Sequence, residues 1–248
     1  MTRPIIFTDC DDTLFQTARK CPGGETGGLK CMSTLVDGAP SGFATARQET
    51  FLAWLQLGTV IPVTARSSEV LRRVDIVQAP AVCSNGGLIV KQDGNVDQGW
   101  HDHLATQAEA GPPVAEIYRK VTAQLPADEY RHWIVSENGF DLYIVIKSNR
   151  DAEVRLSMLG NELSALVPAS WRRHTNGNNL AFLPRWLSKR DAVAYLIDNL
   201  RDNAPDAPVI GVGDSHSDAG FMDLCDFAIA PTNSQLWKGM IHSSPWVG

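Results

Sequence analysis

The hydrophobic and polar positions of this chain fall into two styles. The opening is a short apolar run, Pro4-Ile5-Ile6-Phe7, which stops at Thr8-Asp9 and predicts a strand over Pro4 to Thr8. A glycine-rich stretch from Ala18 to Ala44 follows, irregular except for β-like pieces such as Leu29 to Val36. A segment that long without regular structure is functional or disordered. Phe51, Leu52 and Leu55 then recur at helical spacing, so a helix is expected from about Ala44 to Leu57, ended by Gly58. Thr59 to Val63 reads as a second strand running into Thr64-Ala65-Arg66. Ser67 or Ser68 caps a helix through Val74, and Ala81-Val82-Cys83 is a third strand. Strands alternating with helices favour a parallel sheet flanked by helices.

The middle of the chain changes style. Asp93-Gly94 and Asn138-Gly139 sit beside β-rich runs, and both dipeptides tolerate the positive φ of tight hairpins. Two amphipathic helices accompany them. One, Pro112 to Leu125, lines up Val114, Ile117, Val121 and Leu125. The other, Asp151 to Leu166, lines up Val154, Met158, Leu159 and Leu163. Leu180 to Leu183 is strand-like, and Ser188 is expected to cap a helix carrying Val193, Leu196, Ile197 and Leu200, with Asp191 at the capping-box position. Pro208 to Val212 is an apolar strand that stops at Gly213-Asp214, and Phe227 to Ala230 is the last strand. The expected fold class is α/β, a doubly wound Rossmann-like parallel-sheet core interrupted by an inserted α+β domain. The core spans 1–86 and 186–248, and the insert 87–185.

Composition narrows the function classes. At 248 residues, 44% hydrophobic and 20% charged, the chain is long enough for one large domain or two smaller ones. A formal net charge of −6 argues against a non-specific nucleic-acid binder, which needs a basic face. No stretch approaches the roughly 20 apolar residues of a spanning helix, and the N-terminus reads as carrying no secretory signal. The five cysteines (Cys10, Cys21, Cys31, Cys83 and Cys225) lack C-x-x-C spacing and read as reduced cytoplasmic thiols, with Cys10 a small buried residue. The sequence leaves the oligomeric state open.

The chemistry is concentrated at strand ends. Asp9-Cys10-Asp11-Asp12-Thr13 packs three carboxylates into four positions directly after the first strand. Like charges that close raise one another's pKa unless a cation neutralises them, and Mg²⁺ prefers such oxygen ligands. Thr64, Lys189, and Asp214 with Asp218 fall at other strand ends or at the start of an adjacent helix, where open parallel sheets place their binding crevice. Phosphoryl transfer has a use for each. One carboxylate attacks phosphorus and a second moves the proton, while a hydroxyl and an ammonium hold the equatorial oxygens. A metal on the remaining carboxylates offsets the charge.

In this order, Asp-x-Asp-x-Thr, a strand-end Thr, a Lys and Gly-Asp-x-x-x-Asp, the chain resembles the haloacid dehalogenase superfamily of phosphatases. The insert resembles the type II (C2) cap of the Cof-like sugar-phosphatase branch, and Ser84-Asn85-Gly86-Gly87 is similar to the segment where those proteins leave the core. The resemblance implies Asp9 as nucleophile and metal ligand. It implies Asp11 as general acid and base, ligating Mg²⁺ through its main-chain carbonyl. Thr64 and Lys189 would bind the transferring group. Asp214 would ligate the metal directly, and Asp218 through water or by orienting Lys189. Thr13, Arg66, Asn85 and Gly86 are further candidates on the substrate side. For Arg66 a surface salt bridge, and for Asn85 a turn with Gly86, are equal alternatives. Asp12 stands where the family usually has glycine, and Ser217 where it usually has asparagine.

The expected activity is Mg²⁺-dependent hydrolysis of a small phosphorylated metabolite, a sugar phosphate above all, through an aspartyl-phosphate. A phosphomutase with the same intermediate and a receiver-like phospho-acceptor domain are the alternatives. A dinucleotide binder is disfavoured, because Gly211-Val212-Gly213 lacks the third glycine and the later acidic residue. His216 reads as a surface or cap-contact residue. Lys147, Arg172, Arg173 and His174 read as a solvated charge cluster, and Trp171 and Trp186 as packing or a sugar-stacking surface.

Overall fold

The computed structural model describes residues 2–24, 28–150 and 153–243. The chain forms two compact units, one of Met1–Asp97 with Lys189–Gly248 and the other of Gln98–Ser188. No helix among the described residues is long and apolar enough to cross a membrane.

In the first unit the chain order is β1 (Ile5–Thr8), a hairpin of β2 (Lys30–Thr34) and β3 (Pro40–Ala44), α1 (Ala46–Leu55), β4 (Thr59–Pro62), α2 (Ser68–Leu71), and the pair β5 (Ala81–Cys83) and β6 (Leu88–Val90). After the second unit, α3 (Gln98–Glu109) to β10 (Asn179–Pro184), come α6 (Lys189–Arg201), β11 (Val209–Val212), α7 (His216–Met222), β12 (Phe227–Ile229) and α8 (Gln235–His242). β1 is buried along its whole length because parallel neighbours flank it, with Ile5 opposite Val209 on one side and Thr59 on the other. The sheet order is β12-β11-β1-β4, and a parallel bridge from Val63 to Val82 carries it on to β5. The connections therefore run to one side of β1 first and to the other side later. This makes the carboxyl end of β1 a topological switch point, where open sheets hold their ligands. Ile6, Leu14, Phe15, Leu55 and Val60 belong to the cluster that packs the sheet, and Cys10 is fully buried within it.

The second unit is a four-stranded antiparallel sheet, order β7-β8-β10-β9, from β7 (Tyr130–Glu137), β8 (Phe140–Ser148), β9 (Trp171–Asn176) and β10. Its helices are α3, α4 (Val114–Thr122) and α5 (Glu153–Leu163). Asn138 and Gly139 join β7 to β8 with φ of 50° and 77°, the positive pair a two-residue hairpin needs. The α4 stripe buries Val114, Ile117 and Val121 against Ile144, Ile146 and Leu180 of the sheet.

Several expectations need correction. In the stretch from Ala18 to Ala44, of which residues 25–27 lie outside the described residues, the β-like piece Leu29 to Val36 is β2, but its pairing with a second strand, β3, was not expected. The β2–β3 hairpin is fixed to the neighbouring segment by Asp75 N donating to the Met32 carbonyl (2.7 Å) and Thr34 N to that of Arg73 (3.1 Å). The first helix starts at Ala46, because Thr45 and Gln48 close a capping box there and Ala44 is still strand. The helix ends at Leu55, before Gly58, where glycine is required because a Cβ would lie 2.7 Å from the Pro4 carbonyl oxygen. Ser67 caps the next helix, but that helix is only four residues long.

Residues 151 and 152 of the expected Asp151 to Leu166 helix lie outside the described residues, and the predicted face is half right: Leu159 and Leu163 pack on the core, whereas Val154 and Met158 do not. Val154 and Met158 are 76% and 59% exposed, while Leu156 and Leu163 are buried. Gly160 sets the rotation, because it lies against Arg173 and Leu180 where a Cβ would come within 3.0 Å of the Leu180 side chain. Four elements gave no pattern to read. α3 buries only Trp100 and Leu104, β9 is mostly polar, and α7 and α8 have seven and eight residues.

The helix-face assignment is directly testable. Leu156→Ala should cost about 2–5 kcal/mol in urea or guanidinium unfolding, and Met158→Ala less than about 0.5 kcal/mol. Equal losses at the two positions would overturn it.

Candidate active site

The end of β1 delivers Asp9 into a buried position. Its backbone N–H donates to the Val212 carbonyl (2.8 Å), and Val63 N donates to the Thr8 carbonyl (2.8 Å), so the ends of β11 and β4 flank it. After Asp9 the chain doubles back tightly. Leu14 N donates to the Cys10 carbonyl, Asp12 N to that of Phe15, and Asp12 sits at φ 60°. The left-handed position explains why glycine suits it. Aspartate tolerates that region, and here it also pairs with Lys20 (2.5 Å) from the Ala18–Lys20 turn.

The centre of the site is the ammonium of Lys189. It donates to Asp9 Oδ1 and to Asp218 Oδ1, both at 2.8 Å, and all three groups are buried. Lys189 can reach them because it opens α6, while Asp218 comes from the first turn of α7. Asp218 Oδ2 accepts from the backbone N–H (3.0 Å) and hydroxyl (2.7 Å) of Ser215, and from Asp214 N at 3.3 Å. The approach of β11 to α7 is so close that a Cβ on Gly213 would lie 2.5 Å from that of Asp218. Thr13 donates towards Asp9 Oδ2 (3.3 Å) and lies 3.5 Å from Asp214 Oδ1.

Asp9, Asp214 and Asp218 each present a carboxylate oxygen within 4.8 Å of the others. Three carboxylates share one ammonium. Burial pushes Asp9 up to about 8 even though Lys189 opposes the shift, and it pushes Asp214 up to about 7, with Asp218 and Asp12 adding to the rise. Burial also works against the charge on Asp218, but Lys189 and the Ser215 donors outweigh it and hold Asp218 below its ordinary value. Lys189 stays protonated, because the two carboxylates overcome its desolvation. A compact set of oxygen donors with surplus negative charge suits a hard divalent cation, and these three side chains are the ones that could hold it.

Thr64 is fully buried one strand over, and its Oγ1 accepts from Arg66 N (3.1 Å). Asn85 N donates to the Thr64 carbonyl (2.9 Å) from a turn in which Ser84, Asn85 and Gly86 all have positive φ (51°, 60° and 96°). Asp11 lies outside the buried cluster. Its carboxylate is 51% exposed and accepts two hydrogen bonds from Arg66, from Nε and Nη2, each 2.7 Å. Arg66 in turn lies over the Phe15 ring at 5.1 Å. Ser215 and Lys20 were not singled out in the sequence. Ser215 was legible in principle as the start of a Ser-x-x-Asp capping box, whereas Lys20 follows no motif.

The second unit separates its basic cluster. Lys147 lies over Trp133 (5.8 Å), Arg172 donates to the Leu187 carbonyl, and Arg173 donates to Asn161 (2.5 Å). Trp171 and Trp186 line one cavity of about 250 Å³ together with Phe140 and Asp141. His216 is exposed, and its backbone N–H donates to Gln235 (3.0 Å).

No family model and no curated protein matches the sequence. Solved structures do match. The sucrose-phosphatase from Synechocystis, solved with sucrose and phosphate, is similar at a TM-score of 0.56 and 17% identity, covering 100% of this chain and 90% of that one. A Thermoplasma acidophilum protein is similar at 0.55 and 13% identity, covering 96% and 89%. A Eubacterium rectale protein is similar at 0.55 and 12% identity, covering 94% and 89%. At these identities the likeness establishes a shared fold.

The charge imbalance has a measurable consequence. Unfolded carboxylates titrate near 4, whereas Asp9 and Asp214 keep their protons in the folded chain up to about 8 and about 7. Between those limits the folded state binds more protons than the unfolded one, so metal-free stability falls as pH rises. Asp218 has the opposite sign and contributes stability that is lost only below about pH 4. In a chelator, the melting temperature should drop by roughly 3–8 °C between pH 5 and pH 8, and a divalent cation should recover most of that drop. A rise with pH, or indifference to the cation, would rule out this account of the cluster.

Proposed function

We propose that this chain is a phosphatase of the haloacid dehalogenase superfamily, hydrolysing a small phosphorylated metabolite through an aspartyl-phosphate on Asp9. The observation that carries the reading is the Lys189 ammonium held between Asp9 and Asp218, with Asp214 alongside, at the carboxyl end of β1. The order of the motifs and the fold shared with a sucrose-phosphatase support it. Sugar phosphates are therefore the first substrate class to try.

In this reading Asp9 attacks phosphorus, and the phosphorus–oxygen bond to the leaving group breaks. The leaving oxygen takes a proton from Asp11. Water then attacks the phosphoryl group on Asp9 and gives a proton back to Asp11, which frees phosphate and restores the carboxylate. The Lys189 ammonium and the Thr64 hydroxyl hold the phosphoryl oxygens, and Thr13 steadies Asp9. Asn85 and Gly86 shape the turn beside Thr64. Asp9, Asp214 and Asp218 would hold Mg²⁺, with the Asp11 main-chain carbonyl as a further ligand. When bound, the ion supplies charge to offset that of the phosphoryl group. The inserted unit, read as a C2-type cap, would select the substrate and exclude water.

The in-line geometry of phosphoryl transfer fits the division between buried and exposed carboxylates. The attacking and leaving oxygens lie on opposite sides of phosphorus. An acid for the leaving group therefore belongs away from Asp9, and the half-exposed Asp11 meets that need.

A phosphate-release screen across sugar phosphates and other small phosphate esters, with and without Mg²⁺, tests the proposal. Asp9→Asn should lose at least roughly three orders of magnitude in turnover while keeping the wild-type circular dichroism spectrum. Wild-type rates from that variant would remove Asp9 as the nucleophile. Isomerised product without free phosphate would point to a mutase instead.

A further inference from the structure

Arg66 forms a two-bond ion pair with Asp11 beside the buried cluster. Only 18% of its side chain is exposed, although it carries a charge. Two of its N–H groups are spent on the two oxygens of one carboxylate, Asp11, at 2.7 Å each. A guanidinium and a carboxylate joined by two parallel bonds are fixed in orientation as well as distance. The guanidinium carbon sits 5.1 Å from the centre of the fully buried Phe15 ring, which supports one side of the plane. Its backbone is tied down on both sides, with N–H on Thr64 Oγ1 (3.1 Å) and carbonyl accepting from Ser84 N (2.8 Å). A residue so fully engaged is poorly placed to reorient towards a substrate.

Asp11 needs such a partner. It follows Asp9 by two residues in a tightly doubled-back loop, and its own carboxylate is half-exposed. An unheld carboxylate in that position has several rotamers open to it, and an acid–base group works only from a defined distance and angle.

We infer that Arg66 is a positioning residue, not a substrate ligand: its bidentate contact fixes the Asp11 side chain on the leaving-group side of the site, where it gives and takes the proton. This inference rests on the phosphatase reading, in which Asp11 is the acid and base. It adds no group to the reaction. The proton still passes from Asp11 to the leaving oxygen and from water back to Asp11, and Arg66 keeps its own protons throughout.

The contact and the packing can be separated by substitution. Arg66→Met keeps an apolar stem over Phe15 and removes the fork, while Arg66→Lys keeps the charge and loses the second bond. Both are to be assayed with wild type, Asp11→Asn and the double variant Asp11→Asn/Arg66→Met. The substrates are an alkyl phosphate such as a sugar phosphate, and p-nitrophenyl phosphate, whose leaving group departs without a proton. Thermal unfolding identifies any variant that fails to fold.

The expected result is a kcat for the alkyl ester lowered about 10–100-fold in Arg66→Met, with KM within about threefold, and a smaller loss for the aryl ester. Lysine should not restore the rate. The double variant should be no slower than Asp11→Asn alone, because the two residues act as one unit. A raised KM with unchanged kcat would make Arg66 a substrate contact and overturn the inference. So would losses that multiply in the double variant, or full rescue by lysine. Asp11→Asn at wild-type rate on the alkyl ester would instead remove Asp11 as the proton carrier, and the inference with it. No phosphate release from any ester by wild type would sink the phosphatase reading itself.

Discussion

One buried ammonium facing three carboxylates is the constraint on which the site depends. Lys189 binds Asp9 and Asp218 symmetrically at 2.8 Å, and Asp214 completes a triangle of oxygens within 4.8 Å. If every group were ionised, the cluster would hold two uncompensated negative charges in a poorly hydrated place. A fold that served only stability would replace such a cluster with apolar residues, since buried ion pairs seldom repay their desolvation. Without a cation the cluster instead retains protons, which is why Asp9 and Asp214 are pushed up while Asp218, next to its Ser215 donors, remains a carboxylate. An excess of negative charge that a divalent cation can offset is a property of the arrangement, independent of any likeness to another protein.

The scaffold produces this arrangement by bringing distant segments to one sheet edge. Asp9 and Lys189 are 180 positions apart in sequence, yet the switch point at β1 places them in hydrogen-bond contact. The loops at that edge also hold conformations that side-chain-bearing residues rarely adopt. Asp12, Ser84 and Asn85 all have φ between 51° and 60°. Positive φ in residues with a Cβ carries a cost, so it persists only where the surroundings impose it. Here the Asp12–Lys20 pair and the Asn85 N–H to the Thr64 carbonyl help to hold it. The strained residues surround the site on two sides and are close to the groups they orient.

The sequence made the core legible where hydrophobic runs end in chemistry. β1, β4, β5, β11 and β12 all fall within a residue or two of their expected places, because short apolar runs bounded by turn residues have few other readings. The α4 stripe was equally plain. Helix rotation was not legible in α5. Val154 and Met158 fit a helical period with Leu159 and Leu163 as well as Leu156 does, and the contact of Gly160 with the sheet turns Leu156 inward and Val154 and Met158 out. The polar strand β9 and the short helices carry too little pattern to be seen. Within the site, the residues that meet at Lys189 could be named from motif order. The pairing of Asp11 with Arg66 could not, because it depends on how the loop after β1 turns back onto Phe15.

That loop gives two aspartates separated by a single residue different surroundings. Asp9 continues the line of β1 and is sealed between neighbouring strand ends, 6% exposed and tied to an ammonium. Cys10 is fully buried as well, and the chain doubles back directly after it, which carries the Asp11 carboxylate to a guanidinium nearer the surface. A nucleophile profits from a buried position next to cations that also attract its target. A proton carrier needs contact with the leaving group and with water, which the buried position denies. Under the proposed phosphatase reading, exchanging the two environments would leave a solvated nucleophile and an inaccessible acid. Residues two apart on a strand share a face, so it is the tight turn after β1, and not strand alternation, that separates the two acids and brings Asp11 to Arg66.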